Sequence, residues 1–129
     1  MNSIKNRIVF YLSLFLALHL YSCDATPEPY LKHSMQKPEK LAGNCNDYDP
    51  KFTMVSNVIG ERYEFQKCLH ATYDGHYTAE RKGDTVEVKF QKLAGPEALY
   101  KITLDINTYP RYNYLTIDGN TFGIIPAGN

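Results

Sequence analysis

Tyr100-Lys101-Ile102-Thr103-Leu104-Asp105-Ile106-Asn107 alternates apolar and polar side chains without a break. A period of two places one set of side chains on each face of a pleated strand, so this segment reads as a half-buried β-strand. The same alternation recurs in Thr85-Val86-Glu87-Val88-Lys89-Phe90. Tyr63, Phe65 and Leu69 keep it against Arg62, Glu64 and Gln66. Between these runs, Ile59-Gly60-Glu61, Lys82-Gly83-Asp84 and Asp118-Gly119-Asn120 supply glycine where a hairpin needs positive φ. Tyr109-Pro110-Arg111 can place proline at the second position of a further turn.

Seven strands are expected, near residues 51–58, 62–69, 76–81, 85–91, 99–107, 112–118 and 121–126, joined mostly by short hairpins. No amphipathic helix of useful length interrupts them. An antiparallel meander with one apolar face must cover that face, which predicts an all-β fold, a small antiparallel barrel or sandwich. Tyrosine, phenylalanine and β-branched residues carry the core, since the chain has no tryptophan.

The other end of the chain carries an address. Lys5 and Arg7 precede an apolar run from Ile8 to Leu20, and Leu20-Tyr21-Ser22-Cys23 closes it. A basic head and an apolar core too short for a stable span read as an export signal. The closing tetrad resembles the lipobox of bacterial lipoproteins. That resemblance implies acylation of Cys23, which would become the new N-terminus of a membrane-anchored envelope protein. Tyr21 departs from the pattern, where a smaller residue is usual. Cys23-Asp24-Ala25 offers a second cleavage site, after Ala25, that would make the protein secreted or periplasmic instead. Asp24 is an inner-membrane sorting signal in some lipoproteins and is ignored in others, so the choice of membrane stays open.

The expected organisation is a signal peptide at 1–22, the lipidated Cys23 with a flexible tether to residue 43, and a β domain at 44–129. Pro27, Pro29 and Pro38 interrupt the tether, and apolar periodicity is missing from it. Such a segment would span roughly 25 Å. Of the 14 basic side chains, Lys5 and Arg7 fall in the leader, so 12 face 14 acidic ones in the mature chain. Near-neutrality argues against a nucleic-acid partner, which calls for a basic excess. With Cys23 acylated or removed, Cys45 and Cys68 remain as an even pair in a compartment where disulfides persist. A bridge between them is expected to stabilise the fold by roughly 3 kcal/mol; two separate buried thiols are the alternative.

Chemistry-bearing clusters are few. Ser34-Met35-Gln36-Lys37 matches the Ser-x-x-Lys pattern of penicillin-recognising acyl enzymes, but it lies in the expected tether and the partner motifs are missing. His70, Asp74 and His76 could hold a divalent metal, yet they also suit a turn loop with exposed imidazoles. Asn44, Asn46, Asp47 and Asp49 offer oxygen ligands for calcium, though Asx turns explain the same composition. Neither a metal nor a cofactor is therefore expected. Tyr109, Arg111, Tyr112 and Tyr114 form the candidate ligand-binding surface, combining rigid apolar area with polar tips. The reading is a non-catalytic binding or interaction module, anchored to a membrane and meeting a protein or glycan of the envelope. A secreted barrel carrying a small apolar ligand, or an envelope enzyme inhibitor using the 92–98 loop, are the alternatives.

Overall fold

In a computed structural model that describes residues 26–124, the alternating run at 100–107 lies within the longest strand. The chain forms β1 (Tyr30–Met35), β2 (Glu39–Lys40), a 3-10 turn at Cys45–Asp47, β3 (Phe52–Ser56), β4 (Glu61–His70) and β5 (Tyr77–Lys82). It continues through β6 (Thr85–Phe90), β7 (Glu97–Tyr109), β8 (Tyr114–Ile117) and β9 (Asn120–Gly123). β7 is hydrogen-bonded along both edges, to β4 on one side and to β1 and β2 on the other. With β3 outside β4, these strands make one sheet in the order β1-β7-β4-β3. The second sheet runs β5-β6-β8-β9.

The fold is all-β, and the two sheets pack as a sandwich rather than closing into a barrel. Tyr63, Tyr100, Ile102, Leu104 and Ile106 of the first sheet meet Val86, Val88, Phe90, Leu115 and Ile117 of the second. These are the alternate residues of the sequence pattern, and each fully buried aliphatic or aromatic side chain contributes about 1.5–3 kcal/mol. At one lateral side the Phe52 and Phe122 rings stack with centroids 4.4 Å apart, joining β3 to β9. At the other, His33 Nδ1 lies 2.8 Å from the Tyr77 hydroxyl, joining β1 to β5.

The seven expected strands correspond to β3 through β9, but two expectations are corrected. The segment read as a tether to residue 43 instead supplies β1 and β2, which add to the free edge of β7. Only Leu31 and Met35 pack against the core, and Lys32, His33 and Ser34 are exposed. An edge strand held mainly by backbone hydrogen bonds needs no run of apolar residues, which is why its sequence looks like a linker. The chain is also not a simple meander. The Tyr109–Arg111 turn is a crossing between sheets, containing a cis Tyr109–Pro110 bond, and β8 enters beside β6 in parallel. Two reversals of direction, at β6–β7 and β7–β8, leave β8 pointing the way β6 does.

Gly83 and Gly119 take the positive φ expected at their hairpins, whereas Gly60 does not and is instead required by its close approach to the Ile106 carbonyl. Asp118 and Gly119 have φ of 45° and 90°, the two positive values of a type I′ turn between β8 and β9. Asp118 is held there because its carboxylate accepts the Phe90 amide at 2.9 Å and pairs with Lys67 of the other sheet at 2.6 Å. Cys45 and Cys68 are bridged, with Cα atoms 5.7 Å apart, so the pairing foreseen from the cysteine count is present. The bridge ties the 3-10 turn to the outer face of β4 beside Leu99, which is 2% exposed. Among the described residues no helix is long and apolar enough to cross a membrane. Cys23 lies outside the described residues.

The bridge closes a loop spanning a sequence separation of 23 residues. Replacing both cysteines by alanine is expected to lower stability by about 3 kcal/mol while leaving the strand content unchanged. Urea unfolding followed by far-UV circular dichroism measures it; a loss well under 1 kcal/mol would mean the bridge does not constrain the unfolded chain.

Candidate functional site

The expected Tyr109–Tyr114 surface is divided between core and exterior. Tyr112 is 3% exposed, and its hydroxyl lies 2.5 Å from that of Tyr63 between the sheets. Tyr109 is half-buried and stacks on Tyr30, with centroids 6.4 Å apart. Tyr114 remains exposed on β8. Arg111 folds its guanidinium over Glu61, donating to a carboxylate that is itself only 4% exposed. A carboxylate withdrawn from water at that level needs a cation, because desolvation otherwise costs more than burial returns.

Arg81 holds the same crossing from the second sheet. Its guanidinium donates to the Pro110 carbonyl, to the Arg111 carbonyl at 3.1 Å and to the Gly83 carbonyl at 2.9 Å. The cluster is thus a clasp that fixes how the chain passes from one sheet to the other. Arg111 and Tyr112, half of the expected binding surface, serve the fold. Strand alternation did not reveal this, because residues 110–113 belong to no strand and Tyr112 is turned inward by the crossing.

The other sequence candidates are used locally. His70 Nδ1 meets the Thr72 hydroxyl at 2.8 Å, while His76 Nδ1 meets Asp74 Oδ1 at 2.6 Å, both exposed. The hydrogen bond from His76 holds the Asp74 carboxyl below the usual carboxylate range. Among the described residues no three His, Cys, Asp or Glu side chains gather closely enough to hold a metal ion. In the 44–49 loop, Asn44 Oδ1 accepts the Asn46 amide at 2.8 Å and Asp47 accepts the Asn44 amide at 2.9 Å. Asp49 Oδ1 accepts the Lys51 amide at 3.0 Å. These oxygens cap turns, the capping chemistry that the Asn/Asp composition equally allowed. Ser34 lies in β1 opposite Asp105, with Lys37 beyond the strand's end.

A cleft absent from the sequence reading opens where β3 and β4 meet β8 and β9. It encloses about 320 Å³. Phe52, Phe65, Phe122 and Ile117 form its walls, and Tyr48, Gln66, Lys67 and Asn120 border it along with the disulfide. Its size is near the lower end of small-ligand sites, and polar and apolar atoms share its surface about equally. The Phe52 and Phe122 rings are parallel to within 2° and stacked, so each covers one face of the other and leaves its remaining surface to the cleft. Lys67 brings no free charge, since Asp118 pairs with it and the ammonium also lies 5.3 Å from the Phe90 ring centre. The arrangement favours a flat apolar group bearing neutral hydrogen-bonding substituents. Phe52, Phe65 and Phe122 each stood in an alternating or turn-flanked run, but nothing local says that strands three and nine adjoin.

Comparison of the chain with protein-family models, with curated proteins and with solved structures finds no match.

Burial raises the Tyr63 and Tyr112 phenols above their ordinary value of 10.0, and it raises Tyr73 as well. A raised phenol favours the folded state as long as it stays protonated. That stability is whole below pH 10 and falls as pH climbs past it, where the unfolded chain ionises first. A tyrosinate absorbance titration is expected to leave these three of the 11 tyrosines protonated until the domain unfolds. Tyr112→Ala is expected to cost about 3–5 kcal/mol, so a stably folded Tyr112→Ala with native-like Tm would refute the clasp.

Proposed function

We propose that the chain is a lipid-anchored protein of a bacterial envelope whose β-sandwich is a non-catalytic binding module, with the phenylalanine cleft as its ligand site. The observation that carries the binding role is that cleft: three phenylalanines from two sheets line a space of about 320 Å³. A core that only had to be stable would bring these rings to full burial; here Phe52 and Phe122 stay half-open at the sheet edge. The anchoring role is supported by Leu20-Tyr21-Ser22-Cys23 at the end of an apolar run. The Cys45–Cys68 bridge agrees with an oxidising, extracytoplasmic compartment.

The occupant that fits is an aromatic or similarly flat apolar group of an envelope protein or glycan. It would stack on Phe122 and make hydrogen bonds to Gln66 and Asn120 at the rim. A sandwich with a lateral cleft holds one such group; it does not engulf a whole lipid chain as a closed barrel does.

An amide-shift titration with small aromatic amides and aromatic glycosides tests the site. Shifts are expected to cluster on Phe52, Phe65, Gln66 and Phe122. Phe122→Ala is expected to weaken binding at least tenfold, or about 1.4 kcal/mol or more, with the urea midpoint monitored to confirm folding. Shifts scattered over the surface, or unchanged in Phe122→Ala, would remove the cleft as the site. The anchor is tested separately: the intact mass of protein from the membrane fraction is expected to carry acyl chains on Cys23 that Cys23→Ala lacks.

A further inference from the structure

The strand registers bring two features to one end of the sandwich. His33, Ile106 and Glu61 lie in one row across β1, β7 and β4. β1 extends past that row to Tyr30, where the chain enters the fold, and the β3–β4 hairpin extends past it to Val58 and Ile59. The entry point and the hairpin tip therefore project from the same end. The crossing at 110–113 and the β5–β6 turn join them there, because the Asn113 amide donates to the Asp84 carbonyl at 2.7 Å.

The tip is chemically out of place in water. Val58 and Ile59 have relative exposures of 105% and 73%. Turn positions favour glycine, asparagine, aspartate, proline or serine. The turn does not need its two apolar side chains. Asn57 accepts the Ile59 and Gly60 amides through Oδ1, each at 2.8 Å, and its own amide donates to the Gly60 carbonyl. At Gly60 any side chain would strike the Ile106 carbonyl, so β7 fixes the direction in which the hairpin points. Two adjacent β-branched residues are thus held out on a rigid mount. The same end of the sandwich carries the exposed rings of Tyr30 and Tyr114, and Lys32 lies 5.4 Å from the Tyr30 ring centre. Apolar tips ringed by tyrosine and lysine are the composition that settles at a membrane–water interface. At the opposite end, the exposed apolar residues Tyr48 and Leu93 sit on separate loops.

We infer that this end of the sandwich rests on the lipid bilayer, with Val58 and Ile59 inserted at the headgroup level. The inference rests on the anchoring proposed above, and the tether length strengthens it. Because β1 begins at Tyr30, only six residues, 24–29, separate Cys23 from the fold, a path of seven Cα-to-Cα steps. Fully extended they reach at most about 25 Å. That is short enough to keep the hairpin end facing the surface to which Cys23 is attached. The phenylalanine cleft, on the lateral side and beside the β8–β9 turn, then stays clear of the bilayer.

The test uses the full mature protein reconstituted into vesicles of phosphatidylethanolamine and phosphatidylglycerol containing doxyl-labelled lipid. Ile59→Cys and Leu93→Cys are each labelled with an environment-sensitive fluorophore; both positions are exposed, so the fold tolerates them. Quenching at position 59 is expected to exceed that at position 93 at least twofold. Equal quenching, or stronger quenching at position 93, in a protein whose mass shows acylated Cys23 overturns the orientation and leaves the anchor standing. A mass without acyl chains overturns the anchor, and the orientation with it.

Discussion

β7 is the strand on which everything else is registered. Its 13 residues pair with β4 along one edge and with β1 and β2 along the other, while its inward side chains form the middle of the core. A strand saturated on both edges has no freedom to slip, because a shift of one residue would turn Ile102, Leu104 and Ile106 to water. Its register then sets where the N-terminal segment joins the fold. It also sets where the β3–β4 hairpin points and how far Phe52 lies from the second sheet.

A second constraint governs how the two sheets are joined. The chain must leave β7 and enter β8 in the other layer, and a crossing of that kind exposes backbone and buries polar groups. Glu61 with Arg111, Tyr63 with Tyr112, and Arg81 on the Pro110 and Arg111 carbonyls satisfy those groups together. Buried polar networks are worth having only when every member is paired. At the opposite end of the sandwich, Lys67 and Asp118 perform the same service across the layers. Between these two polar ties, the lateral side at β3 and β9 is closed only by aromatic rings, and that is where the cleft lies.

The polarity of the domain follows from this layout. Chain entry, exposed hairpin and surface tyrosines share one end, and the cleft borders the disulfide and the β8–β9 turn at the other.

Seven strands were legible in the sequence because period-two burial is a local property: alternate residues of 85–90 and 99–107 must face opposite sides wherever those strands lie. The type I′ turn at Asp118-Gly119 was legible for the same reason, since positive φ is a demand on single residues. The cysteine pair followed from parity. β1 was not legible, because an edge strand draws its stability from hydrogen bonds to β7 and leaves little trace in its own side chains. Nor was Tyr112's place in the core, which depends on Tyr63 being 49 residues away and waiting with a hydroxyl. By itself, then, the sequence determined the all-β class, most of the strands and the turn at Asp118-Gly119. Which strands adjoin and which tyrosines are buried were decided only by tertiary structure, because those depend on contacts between residues far apart in the chain, and local pattern carries no record of them.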